Sequence, residues 1–406
     1  MRPIVMISSW PPRLCGIATF AEEAVEFIRK AAPERKVYVI SHTDGEGEFV
    51  KPIIDMSRED WYLPVVDTIK ELDPEVVHIQ HEYGLYEYKD KNGEGDKNQG
   101  LLEMLDMLSD YPVVIEPHTI HGRMKAREEE FVRSICQKCS IIFFKCHYQK
   151  WRLEWTFTNY GWEIPTNIMI VPHGARPDYR WAIDQVDDLK RELGLDDFIE
   201  KHIIGLVGWI QSNKKWDILT SMWQEIYYEI LEQTGEDWFL FAAGEMRDPD
   251  HKPDFEKYVG SVKLLEINGI AKFFQFIPRG DIYYKVMAVC DFIVLPSLDE
   301  TQSGTLARVI ALNKPYVTTA PMEGLTEQTV ESEGGLLFSS KETLKKNVLR
   351  IATDEDLRIT MGNNLFKYLN EVVSWEIVAG QYLEAYRLAA RKVRGKRKIY
   401  IRPEFY

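Results

Sequence analysis

Short apolar runs alternate with longer amphipathic stretches along the whole chain. The runs of the first half are Ile4–Ile7, Val37–Ile40, Val76–Ile79, Val113–Ile115, Ile141–Phe144 and Ile168–Val171. Those of the second half are Ile203–Val207, Trp238–Ala242, Phe273–Ile277, Phe292–Leu295 and Tyr316–Thr318. Uninterrupted apolar runs are typical of parallel strands that helices cover on both faces. The pattern predicts an α/β protein in which each half forms its own doubly wound sheet.

The length of the chain also favours two domains, since 406 residues exceed the size at which a single hydrophobic core keeps growing. We place the junction near Arg176-Pro177-Asp178, which gives domains over residues 1–178 and 179–374. We expect residues 375–406 to form a helix that packs back on the first domain, followed by a basic tail. Ligands of open α/β sheets bind beyond the carboxyl ends of the strands, so we expect the site in a cleft between the halves.

The charge of the chain limits its partners. Its 50 Lys and Arg residues against 64 Asp and Glu give a net charge of -14, which opposes non-specific binding to nucleic acid. The start, Met1–Ile7, is typical of a strand rather than a signal peptide, and no apolar run approaches the ~20 residues that span a bilayer. We therefore expect a cytoplasmic protein. The basic residues from Lys392 to Lys398 favour a solvated helix end, with weak contact to a membrane surface as the alternative.

The five cysteines do not describe a disulfide framework, because their number is odd and the chain is long. Cys136, Cys139 and Cys146, with His147, have the residue types and a Cys-x-x-Cys spacing that zinc sites use. Against zinc, residues 140–145 are typical of a buried strand, so the adjacent Cys146 and His147 would point to opposite faces. We favour buried thiols and predict no metal site.

The loop after the first strand offers an anion site. Its segment Ser8–Phe20 contains Arg13 and places Gly16 just ahead of a helix. Backbone N–H groups and the positive end of the helix dipole favour negative charge there, although Gly16 also fits a simple turn. The dinucleotide pattern GxGxxG is absent from this loop, which counts against a nicotinamide enzyme.

Histidines and a carboxylate concentrate where two further strands of the first half end. His81 and Glu82 follow one strand, and His118 and His121 follow the next along the chain. Such side chains suit a hydroxyl-rich ligand, which needs directional donors and acceptors. Histidines whose hydrogen bonds are satisfied at a domain interface would give the same pattern, and both interpretations remain open.

Two loops of the second half have residues suited to a diphosphate. One strand runs through Gly208 towards Lys214, whose point charge can neutralise a leaving diphosphate. Another ends at Pro296-Ser297, and small polar residues then open a helix whose first N–H groups can bind phosphate. Glu300 lies just before that helix, where a carboxylate is unfavourable unless it accepts hydrogen bonds from other groups, such as sugar hydroxyls. A solvated loop acid is the alternative.

The segment Pro296–Pro315 resembles, without a gap, a signature P-S-x-x-E-G-F-G-x-x-x-x-E-A-x-A-x-G-x-P. This is the signature of the retaining GT-B glycosyltransferases of family four, within glycosyl transferases group 1, and the resemblance covers nearly the whole chain. It implies two Rossmann-like domains facing across a cleft and transfer of a hexose with retention at the anomeric carbon. It also implies a nucleotide-sugar donor such as GDP-mannose or UDP-glucose, a saccharide or other hydroxyl acceptor, and neither metal nor cofactor.

The resemblance also implies roles for individual residues. Matched by position, Glu300 is expected to hold hydroxyls of the donor sugar, His118 to lie near the transferred sugar and Lys214 to stabilise the leaving diphosphate. The implied donor and phosphate contacts are Gly16, Gly208, Lys214, Ser303, Gly304, Thr305 and Arg308. The implied acceptor-side residues are Arg13, His81, Glu82 and His121.

The chain departs from the family pattern at positions that touch the donor. Arg308 stands where the family has a glutamate that binds the ribose, and Trp209 replaces an arginine. Thr301-Gln302-Ser303 replaces Gly-Phe-Gly. A retaining transferase is the favoured function. A sugar-nucleotide-binding protein without activity and a sugar-nucleotide 2-epimerase are the alternatives.

Overall fold

The computed structural model of the chain describes residues 2–120, 124, 126–298 and 301–395. These residues divide into two compact units. The first unit runs to His173 and resumes at Trp375, and the second unit is Gly174–Ser374.

The first unit contains a parallel sheet with the strand order β3-β2-β1-β4-β5-β6-β7. Its strands are β1 Ile4–Ile7, β2 Val37–His42, β3 Val50–Ile54, β4 Val76–His81, β5 Val113–Pro117, β6 Ile141–Phe144 and β7 Ile168–Ile170. Its helices are α1 Gly16–Ala31, α2 Tyr62–Leu72, α3 Gln99–Met107, α4 Ala126–Lys138, α5 His147–Asn159 and, at the far end of the chain, α15 Trp375–Gly395. Every residue of β1, β4, β5 and β6 is buried, as a sheet covered on both faces requires.

Helix α15 is part of the core of the first unit. Trp375 is fully buried, and its indole Nε1 donates to Glu23 Oε2 of α1 at 2.9 Å. The ring of Phe20 meets the Trp375 ring edge-on at 5.2 Å, and Phe27 stacks on it at 6.2 Å. The last helix therefore closes the face of the sheet on which α1 lies.

The second unit repeats the architecture, with the strand order β10-β9-β8-β11-β12-β13. Its strands are β8 His202–Ile210, β9 Trp238–Met246, β10 Ala271–Gln275, β11 Phe292–Leu295, β12 Tyr316–Thr319 and β13 Gly335–Phe338. Its helices are α6 Val186–Glu192, α7 Trp216–Thr220, α8 Trp223–Thr234, α9 Lys252–Ile267, α10 Asp281–Ala288, α11 Gly304–Ala311, α12 Glu323–Ser332, α13 Lys341–Thr353 and α14 Glu355–Tyr368. The predicted fold class, two doubly wound parallel-sheet α/β domains, is confirmed.

Each sheet has one point at which the order of its strands reverses. In the first unit the chain goes outward from β1 to β3 and returns to place β4 beside β1. In the second unit β11 returns to lie beside β8. Loops at the carboxyl ends of strands diverge at such a point and leave a crevice for a ligand. The loops after β1 and β4, and those after β8 and β11, are therefore where polar side chains matter most.

Some sequence predictions need correction. Apolar runs did not predict β3 or β13, because Lys51 and Pro52 of β3 are exposed and β13 is half-buried along most of its length. Strand β6 ends at Phe144, and Cys146 is the N-cap of α5, so the Cys146-His147 pair lies at a helix start and not on a strand. Cys139 and Cys146 are buried, Cys136 is half-buried, and none of the three forms a disulfide.

The basic segment that follows Arg391 lies mostly beyond residue 395, outside the described residues. Within the described part of the chain, no helix is both long enough and apolar enough to cross a bilayer.

The packing of α15 generates a first prediction. Replacing Trp375 with Ala should lower the free energy of unfolding by about 3–5 kcal/mol, because the change leaves a large cavity between α1 and α15. Trp155→Ala is the matched control, since Trp155 is 51% exposed in the same unit, and its change should stay within about 0.5 kcal/mol. Urea unfolding followed by circular dichroism measures both, and equal losses would contradict the assigned role of α15.

Candidate functional site

Two loops of the second unit meet at its switch point. The turn Ser212–Lys214 follows β8, and the segment after β11 leads to helix α11. Leu298 N donates to Asn213 O at 2.7 Å, which joins the two loops directly. The two segments that the sequence singled out in the second half are therefore neighbours in space.

Gly208 makes room beside the start of α11. It has a φ of +136° and pairs with Gly244 across β8 and β9. A Cβ atom at position 208 would lie 2.9 Å from the hydroxyl of Tyr283 and 3.3 Å from Thr305 Oγ1. Those two hydroxyl groups are hydrogen-bonded to each other at 2.8 Å. Only glycine fits this conformation and this close approach without strain.

Ser303 is the N-cap of α11 rather than a side chain directed at a ligand. Its backbone is extended, it is 5% exposed, and its Oγ accepts from Leu306 N at 3.3 Å. An N-cap of this kind fixes where the helix begins. The N–H groups of Gly304 and Thr305 have no carbonyl within the helix to bind, because they lie in its first turn. Helix α11 thus starts with an anion-favouring end at the switch point.

Lys214 is half-buried and has a second cation nearby. Burial, together with the charge of Arg247, lowers the pKa of Lys214 to about 8. Arg247 is exposed and directly follows β9. The two positive charges repel each other, and a bound anion would relieve this repulsion. A diphosphate carries the negative charge that is required.

Arg308 lies in the wall of the second unit rather than in an open loop. It is 7% exposed, and its Nη1 donates to Gly304 O, one turn earlier in α11, at 2.7 Å. Its guanidinium lies 4.8 Å from the ring centroid of Tyr283 and 5.5 Å from that of Tyr284. The cation that replaces the expected acid is thus held by its own helix and by two aromatic rings.

The start of α1 in the first unit resembles the start of α11 only in part. Gly16 is the first helical residue, and a Cβ atom there would meet nothing within 4 Å. Cys15, at the N-cap, makes no side-chain capping bond to the helix. Arg13, in the loop ahead of Gly16, donates from Nε to Asp44 at 2.7 Å, so a carboxylate already holds it. The open space at Gly16 is compatible with an anion, and Arg13 contributes less charge than its sequence position indicates.

Of the two histidines predicted on the acceptor side, His81 is the one that the structure describes. His81 is fully buried, its Nε2 bonds Asn98 Oδ1 at 2.9 Å, and its ring stacks on Phe131 at 4.5 Å. This placement gives His81 no exposed surface with which to touch an acceptor, and its Nδ1 has no hydrogen-bond partner among the described residues. Glu82 is half-buried and accepts from Thr119 Oγ1 at 2.5 Å. His121, like Glu300 in the second half, lies outside the described residues.

His118 is the partly exposed histidine at the end of β5. Its Nε2 is 2.7 Å from Gln80 Oε1, and its ring meets Phe20 edge-on at 4.7 Å. Burial and the charge of Lys145 lower the pKa of His118 to about 3, so the imidazole is neutral at physiological pH. A neutral ring has one donor and one acceptor nitrogen, which suits contact with a hydroxyl group.

The second unit contains the decisive sequence match, because residues 195–368 fit the family model described as Glycosyl transferases group 1. This unit carries a group 1 domain. Sequence comparison with curated proteins gives no match to the chain.

Solved structures are similar over nearly the full length of the chain. Anabaena HepE in complex with UDP has a TM-score of 0.69 at 15% identity, over 95% of this chain and 99% of that chain. A glycosyltransferase from Rickettsia africae has a TM-score of 0.73 at 13% identity, over 98% and 100%. A UDP-forming α,α-trehalose-phosphate synthase from Burkholderia xenovorans has a TM-score of 0.71 at 12% identity, over 96% and 100%. At these identities the likeness establishes the fold, and it supports the predicted GT-B class of two Rossmann-like domains.

Sequence reasoning missed Arg247. The predicted strand ended at Ala242, whereas β9 continues to Met246. A cation directly after the end of β9 lies where the ligand of an open α/β sheet is expected. Because the predicted strand ended four residues too early, Arg247 was assigned to a loop away from the strand end. A longer strand could have been predicted, because only Gly244 and Glu245 interrupt the apolar run before Met246.

The close approach at Gly208 generates a second prediction. Gly208→Ala should destabilise the group 1 domain by about 1–3 kcal/mol, because alanine strains this φ and displaces Tyr283 or Thr305. Gly260→Ala is the control, since a Cβ atom there meets nothing within 4 Å and the residue lies within α9. That substitution should leave stability unchanged or raise it by up to about 1 kcal/mol. Thermal unfolding of both variants measures the difference. Unchanged stability of Gly208→Ala would show that Tyr283 and Thr305 do not require a glycine at position 208.

Proposed function

We propose that this protein is a retaining glycosyltransferase that moves a hexose from a nucleotide sugar to the hydroxyl group of a saccharide or another acceptor. The observation that carries the proposal is the position of Lys214 at the switch point of the group 1 domain, in a loop that is joined to the segment leading to α11 and has Arg247 nearby. Cations and helix N-terminal N–H groups stabilise the charge that develops on a leaving diphosphate. We propose that the reaction needs no metal or other cofactor and takes place in the cytoplasm without nucleic acid.

The roles of the individual residues follow from where the charge develops. The bond from the anomeric carbon to the diphosphate oxygen breaks, the acceptor oxygen bonds to that carbon on the same face, and the proton of the acceptor hydroxyl passes to the departing diphosphate. Lys214 and the N–H groups of Gly304 and Thr305 would hold the departing diphosphate. His118 and Glu300 would bind hydroxyl groups of the transferred sugar. UDP-glucose and GDP-mannose are the proposed donor types, and UDP or UDP-glucose is present in solved structures of Anabaena HepE.

Binding of a nucleotide sugar without transfer to an acceptor is the second candidate function, and Arg308 favours it. A buried cation on α11 cannot accept hydrogen bonds from ribose hydroxyls, which the family glutamate is expected to do. A sugar-nucleotide-binding protein without transfer activity would tolerate that change. A 2-epimerase would instead convert the donor alone, without any acceptor.

A screen of UDP-, GDP- and ADP-sugars with simple saccharide acceptors tests the proposal. Wild-type protein should be thermally stabilised by one donor class and should release its nucleotide. Lys214→Ala should lower kcat/KM about 100- to 1000-fold, as the loss of one donor to a developing oxyanion does. Lys252→Ala is the control, because this lysine is 66% exposed in the same unit, and it should leave the rate unchanged.

Three outcomes of this screen decide between the functions. Stabilisation without nucleotide release would favour the binding protein. A new nucleotide sugar formed from the donor alone would favour the epimerase. The absence of stabilisation by every donor would contradict the assigned site.

The pKa of Lys214 gives a prediction about pH. Below pH 8 the ammonium group is charged and attracts the diphosphate, and above it the free protein has to take up a proton to bind. The dissociation constant for UDP should therefore rise between pH 7 and pH 9, by up to about tenfold per unit above pH 8. Lys214→Arg should flatten the profile, since arginine stays charged over this range. Calorimetry with UDP measures both proteins, and a wild-type affinity that is constant from pH 7 to pH 9 would refute this role for Lys214.

A further inference from the structure

A buried chain of polar side chains lies behind His118 in the first unit. Glu116 of β5 is fully buried and forms an ion pair with Lys145, which follows β6 and is 2% exposed. Gln80 of β4 lies between Glu116 and His118 and is also fully buried. The proposed catalytic role of His118 does not use any of these groups directly.

The carboxyl group of Glu116 is ionised. Burial alone would raise its pKa, but the charge of Lys145 and the hydrogen bond from His78 outweigh burial and hold the pKa well below its usual range. Tyr382 of α15 donates to both carboxylate oxygens, at 2.7 Å to Oε1 and 2.9 Å to Oε2. An ionised carboxylate accepts hydrogen bonds and donates none.

The ionised carboxylate fixes the orientation of Gln80. The side-chain nitrogen of Gln80 is 2.7 Å from Glu116 Oε2, a distance at which only a donor is stable beside a carboxylate oxygen. The amide oxygen of Gln80 therefore faces the other way, where it is 2.7 Å from His118 Nε2. Because an amide oxygen only accepts, His118 Nε2 must carry the proton, and the lone pair is on Nδ1.

We propose that Glu116 and Gln80 are positioning residues that hold His118 in its Nε2–H tautomer, so that Nδ1 is the acceptor for a hydroxyl group of the substrate. The proposal rests on the proposed function for the identity of that hydroxyl as part of a sugar. The low pKa of His118 agrees with it, since the imidazole stays neutral and the tautomer decides which nitrogen accepts.

The last helix of the chain takes part in this arrangement. Besides the two bonds from Tyr382, the hydroxyl of Tyr386 lies 2.7 Å from His78 Nδ1. His78 Nε2 in turn lies 3.2 Å from Glu116 Oε2. Helix α15 thus supplies hydrogen bonds to Glu116 and to its neighbour His78, and Tyr382 reaches Glu116 from 266 residues away in the sequence.

An isosteric substitution should reverse the tautomer. In Glu116→Gln, Lys145 and Tyr382 still require an oxygen at the position of Oε1, so the new amide nitrogen faces Gln80. Gln80 must then turn its oxygen towards residue 116 and its nitrogen towards His118. His118 Nε2 becomes the acceptor, and the proton moves to Nδ1. Nitrogen-15 NMR of histidine-labelled protein distinguishes the two forms, with the His118 signals assigned by their loss in His118→Gln.

Two further variants are matched controls. The exchanged pair Gln80→Glu/Glu116→Gln keeps one buried carboxylate and the same number of heavy atoms, and its new carboxylate at position 80 should restore the Nε2–H form. Tyr382→Phe removes one donor but leaves the carboxylate, so it should also keep the Nε2–H form. If Glu116→Gln does not fold, the comparison of wild-type protein, the exchanged pair and Tyr382→Phe still requires Nε2–H in all three, and Nδ1–H in any of them would overturn the assignment.

Activity links the tautomer to function. Glu116→Gln should lower kcat/KM for transfer about 10- to 100-fold, and the exchanged pair should recover most of the loss. An Nε2–H signal in Glu116→Gln would show that Glu116 does not set the tautomer of His118 through Gln80. A reversed tautomer with unchanged kcat/KM would show that the tautomer does not matter for transfer. Because NMR is recorded without ligand, failure of the wild-type protein to bind any donor would instead contradict the proposed function and leave the tautomer result standing.

Discussion

The polar edge of the first unit depends on one buried ion pair, between Glu116 and Lys145. Removing two charges from water costs several kcal/mol for each ion, and their attraction compensates only when the remaining donors and acceptors are satisfied. Both carboxylate oxygens meet this condition through Lys145, Tyr382, Gln80 and His78. Loss of either charge alone would leave the other buried, at a cost of about 3–5 kcal/mol. Strands β4 and β5 must therefore keep polar residues at positions where a parallel sheet otherwise has apolar ones.

This constraint extends to the far end of the chain. Tyr382 and Tyr386 come from α15, and Trp375 at the start of the same helix donates to Glu23 of α1. Helix α15 therefore brings hydrogen-bond donors as well as apolar surface to the first unit. A hydrophobic cap would satisfy the core equally well but would leave the carboxylate of Glu116 with fewer donors. This difference explains why two tyrosines, rather than leucines, face the sheet from α15.

The sequence predicted the core strands well, because each is an uninterrupted apolar run bounded by turns. It failed at β3, where the exposed Lys51 and Pro52 of an edge strand hide the pattern, and at the end of β9, where Gly244 interrupts the apolar run. Ser303 illustrates a finer limit. Its position before a helix was evident, but whether its hydroxyl caps the helix or meets a ligand depends on a backbone angle that composition does not specify.

Side-chain roles in the first unit were harder to predict for the same reason. His81 and His118 both lie where a strand ends, and nothing in their sequence neighbours distinguishes them. The structure separates them by depth: His81 bonds Asn98 in the interior, whereas His118 is partly exposed above Gln80. Their different partners lie 17 and 38 residues away in the sequence, so only the folded chain reveals them.

The position of Arg308 indicates whether this departure from the family pattern affects substrate binding or the transfer step. The residue bonds Gly304 within its own helix and packs on Tyr283, and neither contact involves Lys214 or the first N–H groups of α11. A lost ribose contact would weaken binding of the substrate and of the transition state equally, which raises KM without lowering kcat. Lys214 acts instead on charge that develops only as the diphosphate leaves. On the proposed function, Arg308 therefore affects how tightly the nucleotide is bound, while the groups that accelerate transfer remain in place.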